Sequence, residues 1–211
     1  MKKLILILLT LVLITLSCGK KTIKVACIGD SITEGYGLAR QSKTAYPAVL
    51  DSILGADYEV LNLGRSATTL QQEGDFPYWI CKEFSNAFAF EPDIVVIKLG
   101  TNDTKPNNWN AANYKKDYQC LIDTLMTISS HPKIYLTLPV PVFKTKWGIN
   151  DSTVVNGVIP IVKEIAKTNN LPVIDLYHQM QDQGANFPDS IHPNEQAVKV
   201  MANIISIEIT K

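Results

Sequence analysis

Four short stretches of this chain carry residue types that can do chemistry together. "GDSITEG" (29–35) sets a small hydroxyl, Ser31, directly behind an apolar run. "NLGRSATT" (62–69) offers the backbone of Gly64, and "GTND" (100–103) offers the side-chain amide of Asn102. "DSIHP" (189–193) places Asp189 three residues before His192. Serine is a poor nucleophile at neutral pH; it needs a base within hydrogen-bond reach, and that base needs an orienting group. A single turn over 189–192 puts the carboxylate and the imidazole on one side, so that the acid holds one ring nitrogen protonated while the other faces Ser31. Acyl transfer also needs donors for a developing oxyanion. The Ser31 N–H, the unobstructed Gly64 N–H and the Asn102 amide are the candidates.

Other residues compete for these roles. His131 precedes Pro132 at the start of an apolar run, on the wrong edge. His178 follows the last such run, on the right edge, and reads as a loop residue without a good local acid. Asp175, within that run, is the weaker orienting candidate. Asp30 and Asp103 read as loop braces that accept backbone hydrogen bonds. "TKPNNW" (104–109) extends the third stretch as a rim, with Trp109 either stacking on a sugar or anchoring the loop. Each stretch alone has a plainer reading, such as a capping serine or a helix start. Four of them in order, each behind an apolar run, point to one site. "GDSIT" is not G-x-S-x-G, because Thr33 stands fifth, so the strained elbow of α/β-hydrolases is not indicated.

The elements that must position these residues follow from the apolar pattern. "IKVACIG", "YEVLNLG", "DIVVIKLG", "KIYLTLPV" and "LPVIDLY" are short and nearly continuous, which predicts strands buried on both faces. Helical segments separate them: "AYPAVLDSILG", "FPYWICKEFSNAFAF", "NYKKDYQCLIDTLMTIS" and "VVNGVIPIVKEIAKTNN", the last divided or kinked at Pro160. A final helix, "PNEQAVKVMANIISIEI", is predicted to begin with Pro193 in its first turn. Alternating strands and helices predict an α/β fold with a mostly parallel five-stranded sheet covered on both faces. Ligands of such sheets sit beyond the carboxyl ends of the strands, where the four stretches fall.

With 20 basic and 20 acidic residues among 211, the formal charge is zero and no basic block favours nucleic acid. "MKK" followed by the apolar "LILILLTLVLITL" reads as a secretory signal over residues 1–17. "SCGK" then makes Cys18 the expected lipidated N-terminus of an exported lipoprotein, so membrane contact is expected through that anchor alone. The folded domain is expected over 22–211. Cys27 and Cys120 are predicted to be buried and inert, a Cys81–Cys120 bridge stays open, and no cysteine or histidine spacing suggests a metal site.

On these blocks the chain resembles the SGNH (GDSL-type) esterases and acylhydrolases. "GDSITEG" is similar to the family's first block, with Ser31 as nucleophile. Gly64 is similar to the second-block glycine, although Ala67 stands where many members carry a further glycine. "GTND" is similar to the third block, with Asn102 as oxyanion donor, and "DSIHP" to the fifth, with Asp189 and His192. The resemblance implies a three-layer αβα sandwich of flavodoxin-like architecture, no metal or organic cofactor, and ester hydrolysis through an acyl-serine. "GTNDTKPNNW" is further similar to carbohydrate O-acetylesterase-like members, which implies short acyl esters, acetyl above all, on a small molecule or glycan. A lysophospholipase or thioesterase of the same fold stays open. So do two binding modules, one cradling a phosphate on "GDSITEG" and one holding a glycan without catalysis.

Overall fold

The computed structural model describes residues 21–211. The expected signal and Cys18 lie outside them. Five strands form one parallel sheet: β1 (Ile23–Gly29), β2 (Tyr58–Gly64), β3 (Ile94–Lys98), β4 (Lys133–Leu138) and β5 (Val173–Asp175). Their order is β2-β1-β3-β4-β5. This is the flavodoxin-like order, whose switch point lies between β1 and β3.

Strand alternation assigns the two cores. Along β1, Val25 and Cys27 face one way; Ala26 and Ile28 face the other. The first pair packs under Tyr46 and Leu50 of α2 (Tyr46–Leu54) and under Ala197, Val198 and Met201 of α6 (Glu195–Ile209). The second pair packs under α3 (Lys82–Phe90), α4 (Ala111–Leu125) and α5 (Ile159–Asn169). Between β1 and α2 lies α1, the single turn Ser31–Glu34. The three layers predicted from the sequence are therefore present, with every strand pair parallel.

Several local expectations are corrected. The edge strand β2 is only half-buried over most of its length, because one side has no neighbouring strand. The segment predicted as one helix from Phe76 begins only at Lys82, after a separate turn at Tyr78–Ile80. Pro193 does not open α6; Asn194 caps it, accepting from the Gln196 and Ala197 N–H groups. Pro160 does divide its segment, with a π-helical turn at Val154–Val158 before α5. Cys27 is buried, and burial pushes its thiol up to about 12. Cys120 is exposed instead, because Tyr114, Tyr118, Leu121 and Leu125 set the buried face of α4 and leave it outside. Cys81 and Cys120 are both free thiols.

Candidate active site

The ends of β1, β2 and β3 are in register: Gly29 lies beside both Gly64 and Lys98. The loops that follow therefore meet at the switch point. The Asp30 carboxylate accepts from the Ile32 N–H at 3.0 Å and starts α1, so Ser31 leaves the strand on the first residue of a rigid turn. On the far side of β5, the chain returns through "DSIHP" before α6. There the first Asp189 oxygen accepts from the N–H groups of Ile191 (2.9 Å) and His192 (2.7 Å). The second Asp189 oxygen meets His192 Nδ1 at 2.7 Å, and His192 Nε2 meets Ser31 Oγ at 2.8 Å. A carboxylate only accepts, so Nδ1 carries the proton and Nε2 is free to accept from the serine. Burial pushes the Asp189 carboxyl up, but the two His192 bonds and the Ile191 bond outweigh it and hold the group below its ordinary value. It stays ionised beside the imidazole.

The structure thus brings Ser31, Asp189, His192 and Asn102 together, and leaves Gly64 out. The Gly64 N–H is taken by Asn62 Oδ1 at 2.9 Å. Its missing side chain serves packing: a Cβ there would land on the backbone of Thr33 and Glu34 in α1. Two residues of that loop, Ser66 and Ala67, line the site, and Ala67 is held in the left-handed region at φ 67°. The N–H groups of Ala67 and Ser31 find no acceptor among the described residues. Asn102 donates one amide hydrogen to the Thr68 carbonyl at 3.1 Å, which aligns the side chain and leaves the other hydrogen to the cavity. That cavity is about 230 Å³ and is also lined by Tyr36, Trp147 and Ile149.

The competing residues fall elsewhere. His131 is exposed in the turn before β4. His178 does have a local acid, contrary to expectation. β5 ends at Asp175, which caps the next turn and holds His178 Nδ1 at 2.8 Å. The pair repeats the spacing of Asp189 and His192 but stands exposed at the sheet edge. Asp103 braces a loop as predicted, accepting from the Leu70 and Gln71 N–H groups. Trp109 turns inward against Tyr114 and Gly157 and is a loop anchor. The aromatic rim is formed instead by Tyr36 (48% exposed) and Trp147 (54% exposed), with ring centroids 4.6 and 6.0 Å from His192. Reading from the sequence also missed Lys98, which is 1% exposed and donates to both Asp30 oxygens at 3.0 Å and to Thr101 Oγ1 at 2.9 Å. A lone lysine inside the apolar run "DIVVIKLG" was the available signal, since a buried cation requires a partner.

A serine, a carboxylate-oriented histidine and uncommitted N–H donors thus meet at the switch point of a flavodoxin-like sheet, an arrangement that can support nucleophilic acyl chemistry. The chain belongs to the GDSL-like lipase/acylhydrolase family, whose profile matches residues 27–200. It is 43% identical over 206 residues to an acetylxylan esterase of Xylanibacter ruminicola, across 89% of this chain and 43% of that protein. A multidomain esterase of Ruminococcus flavefaciens is 26% identical over 109 residues, across 50% of this chain and 14% of its own length. The chain therefore spans less than half the length of these relatives. Among solved structures, the fold matches a carbohydrate acetylesterase from Sinorhizobium meliloti at 18% identity and TM-score 0.74, over 90% of this chain and 99% of that one. An aryl esterase from M. smegmatis matches at 19% identity and TM-score 0.74, with the same coverage.

Proposed function

We propose that this chain is a serine esterase that removes acetyl and similarly small acyl groups from a glycan through an acyl-serine. The observation that carries the reading is the continuous chain Ser31–His192–Asp189, at 2.8 and 2.7 Å, opening into a small cavity. Ser31 Oγ attacks the ester carbonyl carbon as its proton passes to His192 Nε2. Asp189 stabilises the imidazolium that forms. The carbonyl oxygen becomes an oxyanion facing the N–H groups of Ser31 and Ala67 and the Asn102 amide. His192 then protonates the leaving alkoxide, so the sugar hydroxyl departs and an acyl-serine remains. Water, deprotonated by the same imidazole, releases the acid and restores Ser31.

Two observations favour a small acyl group on a sugar. The cavity has room for a short chain, with Ala67 and Ile149 among its walls. The exposed faces of Tyr36 and Trp147 beside His192 suit the apolar face of a pyranose ring. The likeness to an acetylxylan esterase supports the same reading. A fluorophosphonate probe should label Ser31. Nitrophenyl acetate should be turned over faster than the octanoate, and acetylated xylan should release acetate. No label on Ser31 favours a binding module, and preference for octanoate favours a lysophospholipase or thioesterase. We further propose that the enzyme is exported and anchored through lipid on Cys18, which rests on the sequence signal alone. Cells grown with radioactive fatty acid should yield labelled protein, and the Cys18→Ala form should carry none. Unlabelled wild type refutes the anchor.

A further inference from the structure

We infer that Trp147 sets specificity on the alcohol side of the ester: it is a stacking platform for the sugar that carries the acyl group, presented by a strained turn. The inference rests on the esterase reading above and deepens it by naming the residue through which the site tells a glycan from a simple alcohol.

Trp147 stands at the tip of a two-residue hairpin between β4 and the π-helical turn. The Lys146 N–H donates to the Ile149 carbonyl at 3.1 Å, and the Ile149 N–H donates back to the Lys146 carbonyl at 2.9 Å. Between them, Trp147 has φ 53° and Gly148 has φ 82°. Two positive φ values in a two-residue loop mark a type I′ turn, which favours asparagine followed by glycine. Gly148 meets that demand freely. Trp147 does not. A bulky side chain in the left-handed region is an outlier that the surrounding structure must hold.

Packing within the chain accounts for little of this. Trp147 leaves 54% of its surface open to water. The Lys146 ammonium lies 4.4 Å from its ring centroid, a contact worth little at an exposed site. The hairpin is nonetheless braced from the third-block loop. Asn150 Nδ2 donates to the Thr104 carbonyl at 2.9 Å and to the Gly148 carbonyl at 3.2 Å, and the Asn150 N–H reaches Thr104 Oγ1 at 3.3 Å. A Cβ on Gly148 would stand 3.3 Å from Pro106. The stretch 104–109 thus buttresses the rim instead of forming it.

An indole kept in an unfavourable turn, open on its surface and braced at its base, is placed to meet something outside the chain. It lines the cavity with Ser31 and His192, and its ring centroid is 6.0 Å from the imidazole. His192 protonates the departing alkoxide, so the sugar must stand beside that imidazole and within reach of the indole. The C–H face of a pyranose suits the negative face of an aromatic ring. Tyr36 also borders His192, but its φ is not positive, so the strain singles out Trp147 of the two. Stacking holds the sugar equally before and during bond breaking, so its loss should appear in KM more than in kcat.

The test uses the full-length enzyme and two substrates, acetylated xylo-oligosaccharides and ethyl acetate, whose leaving group has no ring. The readout is the ratio of their kcat/KM values, which does not depend on the fraction of folded protein. Trp147→Asn supplies the residue the turn favours and should lower that ratio about tenfold, mainly through KM for the oligosaccharide. Trp147→Phe keeps an aromatic face and should hold the ratio within about threefold of wild type. If Trp147→Asn does not fold, Trp147→Gly, which also accepts the positive φ, takes its place. A merely structural tryptophan would lower both activities together and leave the ratio alone. A ratio that falls less than about fivefold in the Asn or Gly variant overturns the platform, as does a Phe variant that loses as much. In either case, turnover abolished by Ser31→Ala leaves the esterase reading standing. Turnover of both substrates that survives Ser31→Ala overturns that reading, and this inference with it.

Discussion

Replacing Lys98 by methionine should damage this protein more than any other conservative change in the sheet. The ammonium is enclosed between the ends of β1 and β3, donating to both oxygens of Asp30 and to Thr101, and Asp30 is itself fully buried. Burial pulls the Lys98 ammonium below its ordinary pKa, while the Asp30 charge opposes that pull. Methionine fills much the same volume but leaves the Asp30 carboxylate with the Ile32 N–H as its remaining partner. Removing one member of a buried ion pair costs about 3–5 kcal/mol. For a domain of this size each kcal/mol shifts Tm by about 2–4 °C, so the variant should melt about 6–20 °C below wild type. Because Asp30 caps the turn that carries Ser31, turnover should fall as well. Pairing Lys98→Met with Asp30→Asn removes both charges, and most of the lost stability should return. Melts followed by circular dichroism at neutral pH decide the matter. A single variant within about 2 °C of wild type refutes the reasoning, as does a double variant no more stable than the single.

His192→Ala should cost about 10⁴-fold or more in kcat, whereas His178→Ala should stay within a few-fold; equal losses in folded protein would reassign the base. Burial pushes the Asp103 carboxyl up to about 6, although the Gln71 and Leu70 hydrogen bonds resist. With an ordinary value of 3.8 once unfolded, the native state binds more protons between those limits. Stability should therefore rise as pH falls from 7 towards 5, and this slope should disappear in Asp103→Asn; urea titrations at the two pH values that show the same slope in both proteins would count against it.

The five strands, the two-faced packing and the meeting of Ser31, Asp189 and His192 were legible because each is written in a short pattern. Apolar runs name the strands, and a spacing of three residues joins Asp189 to His192 within one turn. What was not legible depended on backbone sign and on depth. Gly64 was expected to supply a donor because glycine permits close backbone approach. The approach it permits is that of α1, and the donor at the cavity comes three residues later from an alanine whose positive φ no local pattern announces. Trp109 and Trp147 are equally plausible rim residues by type. Only the packing of Trp109 against Tyr114 and Gly157 separates them.

The two Asp–His pairs make the same point more sharply. Asp175–His178 and Asp189–His192 share the three-residue spacing, the backbone hydrogen bond from histidine to carboxylate and a close Nδ1 contact. Local chemistry does not tell them apart. The first pair stands directly behind β5, the outermost strand on its side, and so faces water. The second comes after the chain has left β5 and returned to start α6, which packs beside α2 on the face that β1 shares. That return crosses the edge of the sheet and delivers the imidazole to the switch point, where Ser31 waits behind β1. An oriented imidazole is a local product of sequence; its meeting with Ser31 is a product of strand order.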